Sequence, residues 1–133
     1  MTIKPEHAQI VLRLSLAALF LWFGINQLYA PQAWIGFVPS FAAIFLSAKL
    51  LVILNGSMEI ILGLMLLCGI YVRFSALILS LHLLGIALAM GYNPLTIRDI
   101  ALSLATFSVF LSGNDKYCYD SKNSSQQHKT EPQ

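Results

Sequence analysis

The stretch LLVILNGSMEIILGLMLLCGIY, Leu50 to Tyr71, decides the fold. Its length lies in the range of roughly 17–25 mostly apolar residues that crosses a bilayer as a helix. Glu59, ten residues in, is its single charged side chain. Ionised in hydrocarbon, a carboxylate costs at least about 2.5–3.5 kcal/mol on insertion scales. Glu59 is therefore expected to face protein or water, with a partner or a proton, and it is the first candidate for function.

Working outward, three more stretches pass the same length test: Ile10 to Tyr29, Phe74 to Met90, and the shorter Ile97 to Ser112. The composition agrees, with 57% hydrophobic and 11% charged residues in a chain of 133. Too little polar surface remains to cover a soluble globule. Gly91, Asn93 and Pro94 punctuate the third and fourth spans, and the few residues around Arg73 force the second and third into an antiparallel hairpin. In lipid the backbone must satisfy its own hydrogen bonds, and spans this long and uniformly apolar do so as helices. The expected fold is an all-α membrane protein, an antiparallel four-transmembrane-helix bundle.

Between the first two spans, residues 30–49 (APQAWIGFVPSFAAIFLSAK) are apolar yet broken by Pro31, Gly36 and Pro39. An interfacial or shallowly re-entrant segment carrying Trp34, Phe37 and Phe41 at headgroup level is one reading. An ordinary loop with an early helix start near Ala42 is the other. Residues 1–113 are read as the transmembrane domain and 114–133 as a polar cytoplasmic tail, disordered from Lys122 onward. Lys4, Arg13, Arg73, Lys116, Lys122 and Lys129 outnumber Lys49 and Arg98 across the membrane, which directs both termini to the cytoplasm of a bacterial-type inner membrane. The first span is long for a signal sequence and lacks a small-x-small cleavage site, so it is read as retained.

Residues three and four apart share a helix face, which places Gly56, Glu59 and Gly63 on one stripe with Asn55 and Leu66 at its edges. The two glycines let a neighbouring helix approach the carboxylate closely. Two cations are candidates to meet it. His82 lies at the same depth, nine or so residues from the turn at Arg73, and Arg13 can extend towards it from the first span. Glu59, His82 and Arg13 are thus the ligand- or proton-binding candidates. Each has a plainer reading: a structural clamp for Glu59, an interhelical hydrogen bond for His82, and snorkelling to the headgroups for Arg13. Asn26, Gln27, Arg98 and Asp99 form a candidate polar cluster at the outer mouth, with simple surface solvation as its alternative. Asp99 is also placed to complement the dipole in a first helical turn.

No phosphate loop, zinc-spaced cysteine pairs or nucleophile elbow is present, so no catalytic residue and no metal site is assigned. Cys68 and Cys118 are read as packing and tail residues. A formal charge of +2 leaves no nucleic-acid footprint.

The order of motifs resembles a known family. Arg13, then Trp22-Phe23-Gly24, Gly56-x-x-Glu59-x-x-x-Gly63, Gly69-x-x-x-Arg73, Arg98-Asp99, Gly113 and the ending Lys116-Tyr117-Cys118-Tyr119-Asp120 are similar to the DoxX family of small four-helix membrane proteins. Gln27 stands where the family often has Lys, and Cys118 and Tyr119 replace Ser and Leu in the ending. The resemblance implies the fold, and with it a setting among quinone-coupled or redox-defence membrane complexes, to which some relatives are linked. The expected function is a quinone- or lipid-binding membrane subunit of a redox-related complex, an accessory to an oxidoreductase more than a complete enzyme. Its partners would be the lipid bilayer, a cytoplasmic redox protein and further copies of itself. A small proton-coupled transporter, a lipid-handling protein and a structural assembly subunit are the alternatives.

Overall fold

A computed structural model describes residues 4–122. Four helices long and apolar enough to span a bilayer follow one another: α1 (Pro5–Tyr29), α2 (Ala48–Cys68), α3 (Val72–Met90) and α4 (Pro94–Ser112). The chain is a multi-pass membrane protein, and four antiparallel spans put the start of α1 and the end of α4 on one face, called the terminal face below. Large apolar side chains point outward on every helix, among them Trp22, Ile61, Leu81 and Leu104, each more than half exposed. That belt meets lipid, so association between helices must come from close packing and buried polar contacts, since the tails outside are as apolar as the core.

The helix ends follow from local chemistry. Pro5 opens α1, and Pro31 closes it by restricting Ala30. The Ser47 side chain accepts the Leu50 amide at 3.3 Å and starts α2 at Ala48. The second membrane helix does not start early near Ala42: residues 30–47 form single 3-10 turns at Pro31–Ala33, Ile35–Phe37 and Ala42–Ile44, and α2 begins only at Ala48. Gly69, at φ +76°, ends α2 in a left-handed conformation, and its amide returns to the Met65 carbonyl. Pro94 is a helix start here: Asn93 caps α4 by accepting the Thr96 amide at 3.0 Å, with Pro94 as first residue. Asp99 consequently sits beyond the first turn, and its expected role at the helix dipole does not hold.

The bundle consists of two tight pairs, α1 with α2 and α3 with α4, that meet each other more loosely. Small residues make the first pair tight. A Cβ on Gly24 would stand 2.8 Å from the Gly56 carbonyl oxygen, and one on Gly56 would stand 2.9 Å from that of Gly24. Reciprocal hydrogen bonds tie the second pair: Ser80 Oγ donates to the Ser103 carbonyl at 2.9 Å, and Ser103 Oγ to that of Ser80 at 2.8 Å. Leu16, Ala17, Leu66, Val72, Leu79 and Val109 fill the half of the bundle nearer the termini.

Residues 114–122 are not a detached tail. Cys118 is fully buried in the core, against Gly69, where a side chain would have no room. Asp120 accepts the Tyr71 amide at 2.7 Å, holding the α2–α3 turn. Disorder was expected from Lys122 onward; beyond that residue it concerns positions outside the described ones.

Candidate functional site

Where the two helix pairs part, a cavity of about 630 Å³ opens, lined mainly by apolar side chains of all four helices. Trp34, Phe37 and Pro39 of the 3-10 segment contribute its roof. Phe23 and Trp34 meet edge to face, with ring centroids 5.6 Å apart. Glu59 lies at the cavity, about 16 Å from the start of α2 at roughly 1.5 Å per residue, and only 4% exposed.

Two amides hold this carboxylate. Gln27 Nε2 donates to Oε2 at 2.9 Å and Asn55 Nδ2 to Oε1 at 3.1 Å; Asn55 Nδ2 also donates to Gln27 Oε1 at 2.7 Å. The triangle fixes both carboxylate oxygens from α1 and α2. His82, on α3, brings Nε2 to 3.8 Å from Oε1. That separation is too long for a hydrogen bond, and the buried Nε2 has no hydrogen-bond partner among the described residues. The pair is adjacent but not joined, a spacing that a ligand oxygen or a small shift of the ring would close.

Arg13 is elsewhere. It neither pairs with Glu59 nor snorkels: 2% exposed, it donates from Nε to Asp115 Oδ2 at 2.7 Å and from Nη1 to the Leu66 and Leu67 carbonyls at 2.6 and 3.0 Å. Burial works against ionisation of Asp115, but the Arg13 hydrogen bond and the Tyr117 amide outweigh it and hold its carboxyl below the usual value. Cys118 Sγ accepts the Asp115 amide at 3.3 Å, and burial pushes the thiol up, away from the thiolate that redox chemistry needs. Cys68 is exposed at the end of α2.

Asn26, Gln27, Arg98 and Asp99 all line the Glu59 cavity. Arg98 Nε and Nη2 donate to Asp99 Oδ1 at 3.0 and 2.9 Å, and its guanidinium stands 6.0 Å from the Phe23 ring centroid. Its side chain is half exposed while that of Asp99 is 8% exposed, so surface solvation does not describe the pair. Asn26 turns back to the Trp22 carbonyl. No group of three or more His, Cys, Asp or Glu is placed to hold a metal among the described residues.

Three partners do not stand out in the sequence: Gln27, expected at the mouth, reaches the carboxylate; Asn55, at the edge of the glycine stripe, holds its other oxygen; and Asp115, expected in the tail, meets Arg13. The signal for Asp115 was present: a buried arginine requires an acid, and few acids flank the spans.

No curated protein and no solved structure gives a significant match to the chain. The DoxX family model matches residues 8–92, α1 through α3, and stops short of Arg98, Asp99 and the Asp115 segment. With that match over more than half its length, and with the four-helix architecture around it, the chain belongs to the DoxX family.

Proposed function

We propose that the cavity takes the head of a quinone, with its apolar tail along the walls, and that the protein is the quinone-binding membrane subunit of a redox-related complex. One observation carries this reading: a mainly apolar cavity between helix pairs has a carboxylate and an unpartnered imidazole nitrogen together at mid-membrane depth. Reduction of a quinone to a quinol takes two electrons and two protons. Glu59 and His82 are groups able to pass protons to the ring oxygens, while Gln27 and Asn55 keep the carboxylate oriented. The electrons come from a redox protein docked on the face that carries the termini. In this reading that face is cytoplasmic and the membrane is a bacterial-type inner membrane, with residues 1–113 as the membrane domain. Reporter fusions after Gly113 and within residues 30–49 test the orientation, and periplasmic activity from the first would reverse it.

Glu59→Gln separates chemistry from packing, because the amide keeps the shape and some hydrogen bonding but loses the ionisable proton. Binding of decylubiquinone and menadione, with thermal stability in detergent, is measured for wild type, Glu59→Gln and Glu59→Ala. The expected result is binding by wild type and its loss in a well-folded Glu59→Gln protein. Unchanged binding in that variant removes Glu59 from the ligand site. A wild type that binds neither quinone but retains phospholipid is a lipid-handling protein instead.

A further inference from the structure

The cavity occupies only one half of the membrane span. Its lining takes α1 from Leu19 onward, α2 up to Glu59, α3 from His82 onward and α4 up to Leu102. All of these segments lie towards the α1–α2 and α3–α4 connections. In the other half the helices close on Leu16, Ala17, Leu66, Leu79 and Val109, none more than 4% exposed. Below that plug the Arg13–Asp115 pair ties α1, the end of α2 and the segment after α4 together. The cavity beside Arg13 has a volume of about 10 Å³, room for at most one water.

From the floor, polar groups lining the cavity continue towards the connection face; in the other half the buried hydroxyls of Ser75, Ser80, Ser103 and Thr106 sit in closed packing, with Ser80 and Ser103 bonded to each other's carbonyls and Thr106 to that of Leu102. Glu59 and His82 lie at the bottom, Gln27 and Asn55 beside them, and Asp99 with the half-exposed Arg98 further out. An ionisable group within a membrane exchanges protons where water or polar side chains reach it, and apolar packing blocks that exchange.

We propose that the Glu59–His82 site exchanges protons with water on one face only, the face bearing the α1–α2 connection, opposite the termini. Insofar as those protons belong to a bound quinone, this rests on the reading above. Electrons then arrive on the terminal face while protons are taken up or released on the other, so turnover moves charge across the membrane. The direction of access itself rests on the cavity and the plug alone.

Single cysteines at Leu83 and Leu102, both lining the cavity near its floor, test this in a Cys68→Ser, Cys118→Ala protein reconstituted into sealed vesicles. A charged, membrane-impermeant methanethiosulfonate is added from each side. Tyr92→Cys, at a position 95% exposed on the connection face, and a separate Cys118→Ala protein that keeps Cys68, near the terminal face, calibrate sidedness. Should the double replacement unfold the protein, Cys118, buried with its thiol pushed up, is left in place as an unreactive background. Labelling of Leu83→Cys and Leu102→Cys should be about tenfold or more faster from the Tyr92 side. Equal labelling from both sides, faster labelling from the Cys68 side, or no labelling while Tyr92→Cys reacts each overturns the proposal. One-sided labelling in a protein that binds no quinone would remove the ligand assignment and keep the access; quinone binding with terminal-side labelling would do the reverse.

Discussion

Arg13 and Asp115 lie 102 residues apart and meet at 2.7 Å with side chains 3% and 2% exposed. The contact joins the first membrane helix to the segment beyond the last. Because Arg13 also takes two carbonyls at the end of α2, this one side chain closes the terminal end of the bundle.

Removing either charge leaves the other buried and unpaired, so Asp115→Asn and Arg13→Met should each lose about 3–5 kcal/mol of stability. The double variant Arg13→Met, Asp115→Leu should recover much of that loss, retaining the cost of the two freed carbonyls. Thermal unfolding in detergent gives all three values, and additive losses would show that the pair does not act as a unit.

The pH dependence of the same contact has a definite sign. A carboxyl held below its ordinary value of 3.8 adds stability that is complete above its unfolded-state value and is lost as pH falls through the folded one. The difference in unfolding midpoint between wild type and Asp115→Asn should therefore be constant above about pH 5 and shrink in acid below the ordinary carboxylate value.

The glycines should rank by what a new methyl group meets. Gly24→Ala and Gly56→Ala press on backbone oxygens at 2.8 and 2.9 Å, which cannot give way without parting α1 from α2; each should cost about 1–3 kcal/mol. Gly63→Ala meets the Leu21 side chain at 3.2 Å and should cost less, and Gly36→Ala meets nothing within 4 Å and should be neutral. Loss of stability at Gly63 matching that at Gly24 would contradict this order.

Ser80→Ala or Ser103→Ala should each cost about 0.6 kcal/mol, with about 1.7 as a ceiling for such bonds in membranes. The reciprocal geometry predicts a double variant milder than the sum of the two, measured as a double-mutant cycle.

Span number, the hairpin order and the depth of Glu59 were legible in residues 5–112 because hydropathy, proline and glycine act locally and add along the chain. Pro94 does separate the third and fourth spans, but it is itself the first residue of α4, ahead of the expected start at Ile97: the same residue that ends a helix also begins one, and the Asn93 cap decides which. The stripe of Gly56 and Gly63 was likewise readable, since a face is a matter of periodicity on one helix.

What the sequence alone determined was that Glu59 and His82 lie within the membrane spans, and at what depth; it could not determine their partners, nor that Gln27 and Asp115 are buried. His82, Arg13, Gln27 and Asn55 all come within plausible reach of Glu59 along the membrane normal. Choosing among them requires the rotation of each helix about its axis, and that rotation is set by contacts distant in sequence: Gly24 against Gly56, and Ser80 against Ser103. The cavity likewise has no signature in any single segment, because it is the space left where two tight helix pairs fail to close on each other. The sealing of the opposite end by Arg13 and Asp115 belongs to tertiary structure for the same reason: a residue beyond the last helix acquires a partner in the first only once all four helices have packed.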